Sequence, residues 1–112
     1  MAYDQDEVPL NLNLAFNQNG QATSNQQFEL FQNQPNPFTK VTSIGFNLPS
    51  DERVKLTIYD LAGNVLKTME QDYSKGYHEV RILKDELPTT GVLIYKLETN
   101  GFTDTKKMVL LN

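Results

Sequence analysis

The stretch Val92 to Leu111 reads VLIYKLETNGFTDTKKMVLL. Two alternating runs, Val92 to Thr99 and Phe102 to Leu111, flank the dipeptide Asn100-Gly101. Asn-Gly is the strongest short-range hairpin signal, because both central positions of a type I′ turn need a positive φ. The stretch therefore predicts two antiparallel strands joined by a tight turn. Upstream, Asp85 to Gly91 reads as a loop, and Gly76 opens a run in which His78, Val80 and Ile82 share one face and Tyr77, Glu79 and Arg81 the other. Ala62, Gly63 and Asn64 predict a second hairpin turn, leading into Val65 to Met69, since glycine accepts the backbone that tight turns demand. Val54, Leu56, Ile58 and Leu61 supply an inner face there, with Lys55, Thr57 and Tyr59 opposite; before them Ile44, Phe46 and Leu48 alternate until Pro49 and Ser50 end the run. Short alternating runs at a spacing of roughly 8 to 12 residues, with no sustained helical period, predict an all-β fold. The expected architecture is an immunoglobulin-like antiparallel β-sandwich of about seven strands.

Residues 28–112 form that expected domain, and residues 1–27 read differently. Val8, Leu10, Leu12, Leu14 and Phe16 alternate with Pro9, Asn11, Asn13 and Ala15, the period of a strand with one wet face. It is expected either as the tail of a preceding domain or as an extra edge strand of this one. Asn17 to Gln27, NQNGQATSNQQ, has almost nothing to bury and cannot offset the entropy of ordering itself, so it reads as a linker. The Met1-Ala2 start leading into Asp4 to Glu7 lacks the positive and apolar blocks of a secretory signal. It is expected to be a cloning scar on a piece of a longer polypeptide.

Composition narrows the function. The 112 residues carry 10 Lys+Arg against 14 Asp+Glu, a net charge of -4, and no cysteine. Absence of cysteine removes disulfides, thiolate metal sites and cysteine nucleophiles, while a core of this size needs no staple in any compartment. Scattered cations in an acidic chain do not suit phosphate neutralisation, so no nucleic-acid partner is expected. The longest apolar runs, Val92 to Tyr95 and Met108 to Leu111, are far short of the roughly 20 residues of a membrane-spanning helix.

Catalytic chemistry finds no constellation. His78 is the only histidine; it shares a face with Val80 and Ile82 and is expected to be packed and hydrogen-bonded, with no base and orienter beside it. One imidazole and no thiol cannot build a zinc site. Asp51-Glu52 and Asp85-Glu86 are isolated pairs without the alternating ligand ladder of a calcium loop. No catalytic residue, cofactor or metal is expected. A carbohydrate-binding module needs an aromatic platform; there is no Trp, and Tyr59, Tyr73, Tyr77 and Tyr95 are explained by β-propensity and packing.

Phe28 to Phe38 reads FELFQNQPNPF. Pro35 and Pro37 deny two backbone donors and bias Gln34 and Asn36 toward extended conformations, which predicts a rigid entry segment and not a central strand. Asn36 is expected to fold onto nearby backbone, and Phe38 to plug the base of the core. From here the chain runs Asn33-x-Pro35-Asn36-Pro37-Phe38, then Ile44-x-Phe46-x-Leu48-Pro49, then Leu56-x-Ile58-Tyr59-Asp60-x-x-Gly63, then Gly76-Tyr77-His78, Thr90-Gly91-Val92, Tyr95-Lys96-Leu97 and Thr105-Lys106-Lys107-Met108-Val109-Leu110. In order and spacing this closely resembles the type A C-terminal sorting domain of the type IX (Por) secretion system, over about Phe28 to Asn112. It departs at Gln34, where the family often has an aromatic, and at Thr39-Lys40, where a second Asn-Pro is frequent.

The resemblance implies a non-catalytic signal at the end of an exported cargo, with the cargo domains N-terminal and in cis. The implied partners are the outer-membrane translocon and a sortase-like processing protease. The implied location is the cell surface or medium of a diderm bacterium, reached through the periplasm. It concentrates recognition in Lys106, Lys107, Met108, Val109, Leu110 and Leu111, and gives Asn33, Pro35, Asn36, Pro37, Phe38, Tyr59, Asp60, Gly63 and Gly91 structural roles. A terminal strand at a sheet edge would pair with a receptor strand through its backbone. The rival reading is an immunoglobulin-like adhesion, spacer or sugar-binding module, for which Lys106 and Lys107 are protection against edge aggregation.

Overall fold

The computed structural model describes residues 27–112. The strand expected at Val8 to Phe16, and all but Gln27 of the expected linker, lie outside them. Seven strands and one short 3-10 turn follow in order: β1 Glu29–Leu30, β2 Val41–Leu48, β3 Glu52–Asp60, β4 Val65–Tyr73, β5 Gly76–Leu83, the turn Lys84–Glu86, β6 Gly91–Glu98 and β7 Thr103–Leu110. All pair antiparallel, in a three-stranded sheet ordered β1-β2-β5 and a four-stranded sheet ordered β4-β3-β6-β7.

Period-2 alternation explains which faces meet. Ile44, Phe46, Leu48, Val80 and Ile82 from one sheet are buried against Val54, Leu56, Ile58, Leu93, Leu97 and Met108 from the other. Each large apolar side chain so buried contributes about 1.5–3 kcal/mol of transfer free energy, which makes this common core the main restraint on the two layers. Phe38 closes its base at 1% exposure. His78 stands at the rim, its ring 4.9 Å from Tyr73 and 5.8 Å from Phe46, with Nε2 2.7 Å from the Ser74 carbonyl.

Three local expectations are corrected. Leu61 is not an inner-face residue but is 65% exposed, because β3 ends at Asp60 and the next residues turn. Asp60 organises that turn: its Oδ1 accepts from the Ala62 and Asn64 N–H groups at 3.0 and 2.8 Å, and Gly63 takes φ +91°. The Asn100-Gly101 hairpin forms, but Gly101 does not take a positive φ. Thr99 closes this turn instead, its Oγ1 accepting from the Phe102 N–H at 3.1 Å while its own N–H donates to the Phe102 carbonyl at 2.8 Å. A hydroxyl one residue before the dipeptide thus supplies the bond that the type I′ backbone would have made. Thirdly, Asn36 does not fold onto nearby backbone; its target lies on the last strand.

Candidate recognition surface

β7 is the edge of the four-stranded sheet, so the strand expected to carry recognition does have an outward side. Register with β6 and the Thr99–Phe102 pair turn the backbone groups of Thr103, Thr105, Lys107 and Val109 outward. Most of those groups toward the end of the strand are taken. The entry segment runs along the edge: Phe28 stacks on Phe102 with ring centroids 5.0 Å apart, the Gln32 side-chain amide donates to the Lys107 carbonyl, and Asn36 Oδ1 accepts the Val109 N–H. Phe38 then makes a parallel bridge, its N–H donating to the Val109 carbonyl and its carbonyl accepting from Leu111, both at 2.9 Å. Nearer the hairpin the Thr105 N–H is held by Asp104 Oδ1 at 2.8 Å. Phe28, Gln32, Asn36 and Phe38 therefore cover an edge that a full strand would otherwise extend.

A buried polar network fixes the cover. Asn33 is 1% exposed; its Nδ2 donates to Thr42 Oγ1 at 2.9 Å and to the Pro35 carbonyl at 3.1 Å, and Thr42 Oγ1 donates to that same carbonyl. The Asn33 N–H donates to the Tyr95 hydroxyl at 2.9 Å, which donates to the Phe31 carbonyl at 2.7 Å. Burial pushes the Tyr95 phenol up to about 12. Gln34-Pro35 and Asn36-Pro37 are cis. The Phe31 and Pro35 carbonyls thus each meet a donor, as a buried backbone group must. The same segment bonds to β2 through Phe31 N–H to the Gly45 carbonyl and through paired Gln34 and Ser43, so it joins both sheets along one side.

The expected recognition residues split by phase. Met108 and Leu110 are buried in the core and Lys106 is half-buried, whereas Lys107, Val109 and Leu111 face out. Of the residues expected to be structural, Asn33, Asn36 and Phe38 meet the terminal strand or the network, Pro35 and Pro37 are exposed, and Tyr59 lies half-buried under Lys96, with Nζ 5.9 Å from the ring centroid. Asp60 and Gly63 make the β3–β4 turn, while Gly91 opens β6 at φ +106°. Sequence reasoning found neither the bond from Gln32 to Lys107 nor Thr42 and Tyr95 as partners of the entry segment. Thr42 carried a signal, since it occupies the inward phase of Ile44 and Phe46, where a polar side chain needs a partner.

Two shallow grooves lie on the other sheet. One of about 240 Å³ is lined by Phe31, Gln34, Ser43, Tyr77 and Glu79, and one of about 580 Å³ by Lys40, Arg81, Leu83, Lys84, Asp85 and Asn112. Among the described residues no three His, Cys, Asp or Glu side chains cluster as metal ligands, and no helix is long and apolar enough to cross a membrane.

Residues 34–111 match the family model described as a secretion system C-terminal sorting domain. Among solved structures, the chain resembles part of dimeric latent PorU from Porphyromonas gingivalis, at a TM-score of 0.58 and 20% identity over 71% of this chain and 9% of that one. It therefore spans under a tenth of PorU, and the likeness is one of fold. A weaker likeness, TM-score 0.46 and 12% identity over 75% of this chain and 96% of the other, is to the sensor domain of the anti-sigma factor RsgI4 in Pseudobacteroides cellulosolvens. No curated protein sequence matches.

Proposed function

From the premise that this chain belongs to the secretion system C-terminal sorting domain family, we propose that it is the address that takes a preceding cargo across the outer membrane through the type IX translocon. The domain is a sorting signal and not an enzyme, and its family role implies export to the cell surface or beyond in a Bacteroidetes-type cell. The observation that carries the reading is the match itself, which spans residues 34–111, from within the entry segment to the end of the terminal strand.

In this reading the translocon recognises Lys106 to Leu111 on the folded domain. Because the outer edge from Lys107 to Leu111 is already engaged by Gln32, Asn36 and Phe38, an incoming strand would first have to displace the entry segment and its network. Side chains are the cheaper code, and Lys107, Val109 and Leu111 present them. A sortase-like protease then cuts within the polar stretch Asn17 to Gln27, which offers backbone without bulky side chains, and the released cargo is anchored at the surface.

The test places a fluorescent reporter, behind a signal peptide, ahead of the whole chain in a host with this secretion system. Deleting Lys106 to Asn112 is expected to leave the reporter in the periplasm. Unchanged export after that deletion removes the terminal strand from the recognition role.

A further inference from the structure

The outer face of the four-stranded sheet divides into two halves. Cross-strand register sets the rows: Arg53 beside Asp72, then Glu70, Lys55, Glu98 and Thr103, then Thr68, Thr57, Lys96 and Thr105. These rows are polar, with ion pairs from Arg53 to Asp72 and Glu70 and from Lys96 to Glu98. The next row is Val65, Tyr59, Ile94 and Lys107, and beyond it Val92 pairs with Val109; Leu61 follows directly on the last paired residue of β3, Asp60, and Leu111 on that of β7, Leu110. The change from polar to apolar occurs from one row to the next, two residues along β3, β6 and β7. Leu61, Val65, Val92 and Leu111 are 65%, 59%, 38% and 47% exposed, four of the seven large hydrophobic residues exposed among the described residues. Scattered exposed hydrophobics are ordinary, but a contiguous patch with a polar border marks an interaction surface.

Charge and chain direction identify the occupant. Lys107 closes one end of the patch and makes no ion pair among the described residues. The patch contains no carboxylate; Asp60, at the end of β3, has both side-chain oxygens committed to its own turn. The same patch on a second copy would offer the Lys107 ammonium no counter-charge. The preceding chain joins at Gln27, whose carbonyl is held by Asn47 and whose neighbour Phe28 stacks on Phe102. That is the opposite end of the strands from Val92, Val109 and Leu111, so the patch is the end distal to a cargo.

We propose that the apolar patch centred on Val92, Ile94 and Val109, with Lys107 at its border, is the surface by which the export machinery grips the domain. The partner is a folded exporter protein that presents an apolar face with a carboxylate opposite Lys107. The proposal rests on the sorting reading above and makes it specific: side chains from β3, the β3–β4 turn and β6 belong to the signal together with those of β7.

The test uses the reporter fused ahead of the whole chain, with the single substitutions Val92→Glu, Leu61→Glu and Lys107→Glu, and Thr68→Glu in the polar half as control. Thermal melts of the purified chains check folding; Leu61 and Lys107 are exposed, so their variants test the patch even if Val92→Glu folds poorly. The three patch variants are expected to lower the surface-exposed fraction roughly tenfold, the factor of one lost well-packed or charge-paired contact, while Thr68→Glu exports normally. If folded patch variants export like the parent while deletion of Lys106 to Asn112 blocks export, the patch proposal is overturned and the sorting reading stands. If the deletion also exports, the terminal strand has no recognition role and the patch falls with it. Sedimentation that reveals a concentration-dependent dimer, lost in Lys107→Glu, makes a second copy the occupant and likewise overturns the proposal.

Discussion

Removing a single oxygen atom by Tyr95→Phe tests whether the entry segment is held by its buried network. The hydroxyl accepts the Asn33 N–H at 2.9 Å and donates to the Phe31 carbonyl at 2.7 Å, from a residue with no exposed surface. Phe fills the same space, so no cavity forms and the cost is polar. The Asn33 N–H is left buried without a partner, at about 1–3 kcal/mol, and the half-buried Phe31 carbonyl loses a bond with a net value of about 1 kcal/mol. The sum is about 2–4 kcal/mol, a large share of a small domain's stability. Chemical denaturation of parent and variant is the assay, and the midpoint should fall with little change in slope, because the surface exposed on unfolding is the same. A loss below about 0.5 kcal/mol, the range of ordinary surface substitutions, would refute the argument that this hydroxyl ties the entry segment down.

Other outcomes follow from the same contacts. Phe38→Ala empties the base of the core and is expected to cost about 3–5 kcal/mol; an unmoved melting temperature would contradict its burial. Asn36→Ala removes the acceptor of the Val109 N–H, so hydrogen exchange at Val109 should accelerate selectively, and unchanged protection there would show that another group covers the edge. The Tyr95 phenol titrates near 12 when folded and near 10 when unfolded. Its stabilisation is complete below about pH 10 and is lost as pH rises toward 12, by up to about 1.4 kcal/mol per pH unit. Alkaline denaturation of the parent should therefore be steeper than that of Tyr95→Phe over this window, and parallel curves would contradict the assignment.

The sandwich was legible because its strands obey period 2 with one wet face: Ile44, Phe46, Val80 and Ile82 all lie where alternation puts them. The turns were less so. Asn100-Gly101 names a hairpin correctly, yet Thr99 supplies the closing bond and leaves Gly101 at an ordinary φ, a choice that side-chain hydrogen bonding makes and dipeptide statistics do not record. Leu61 reads as inward for its apolar side chain alone, although it has the outward phase of Lys55, Thr57 and Tyr59, and it lies 65% exposed in the turn that begins after Asp60. The entry segment was recognisable as rigid from Pro35 and Pro37, and Phe38 as buried. Its partners were not, since Asn36 and Val109 are 73 residues apart, and no local pattern reports a contact at that separation. The patch on the outer face was hidden for the same reason. Tyr59, Val92 and Val109 each read as ordinary strand positions until register places them side by side.

The most direct test of the sorting role is protease shaving of intact cells that carry a reporter fused ahead of Phe28 to Asn112, in a host with its type IX translocon and in the same host without it. Loss of reporter to added protease only in the first strain is the predicted result. A reporter equally protected in both strains, or equally shaved in both, would contradict the account.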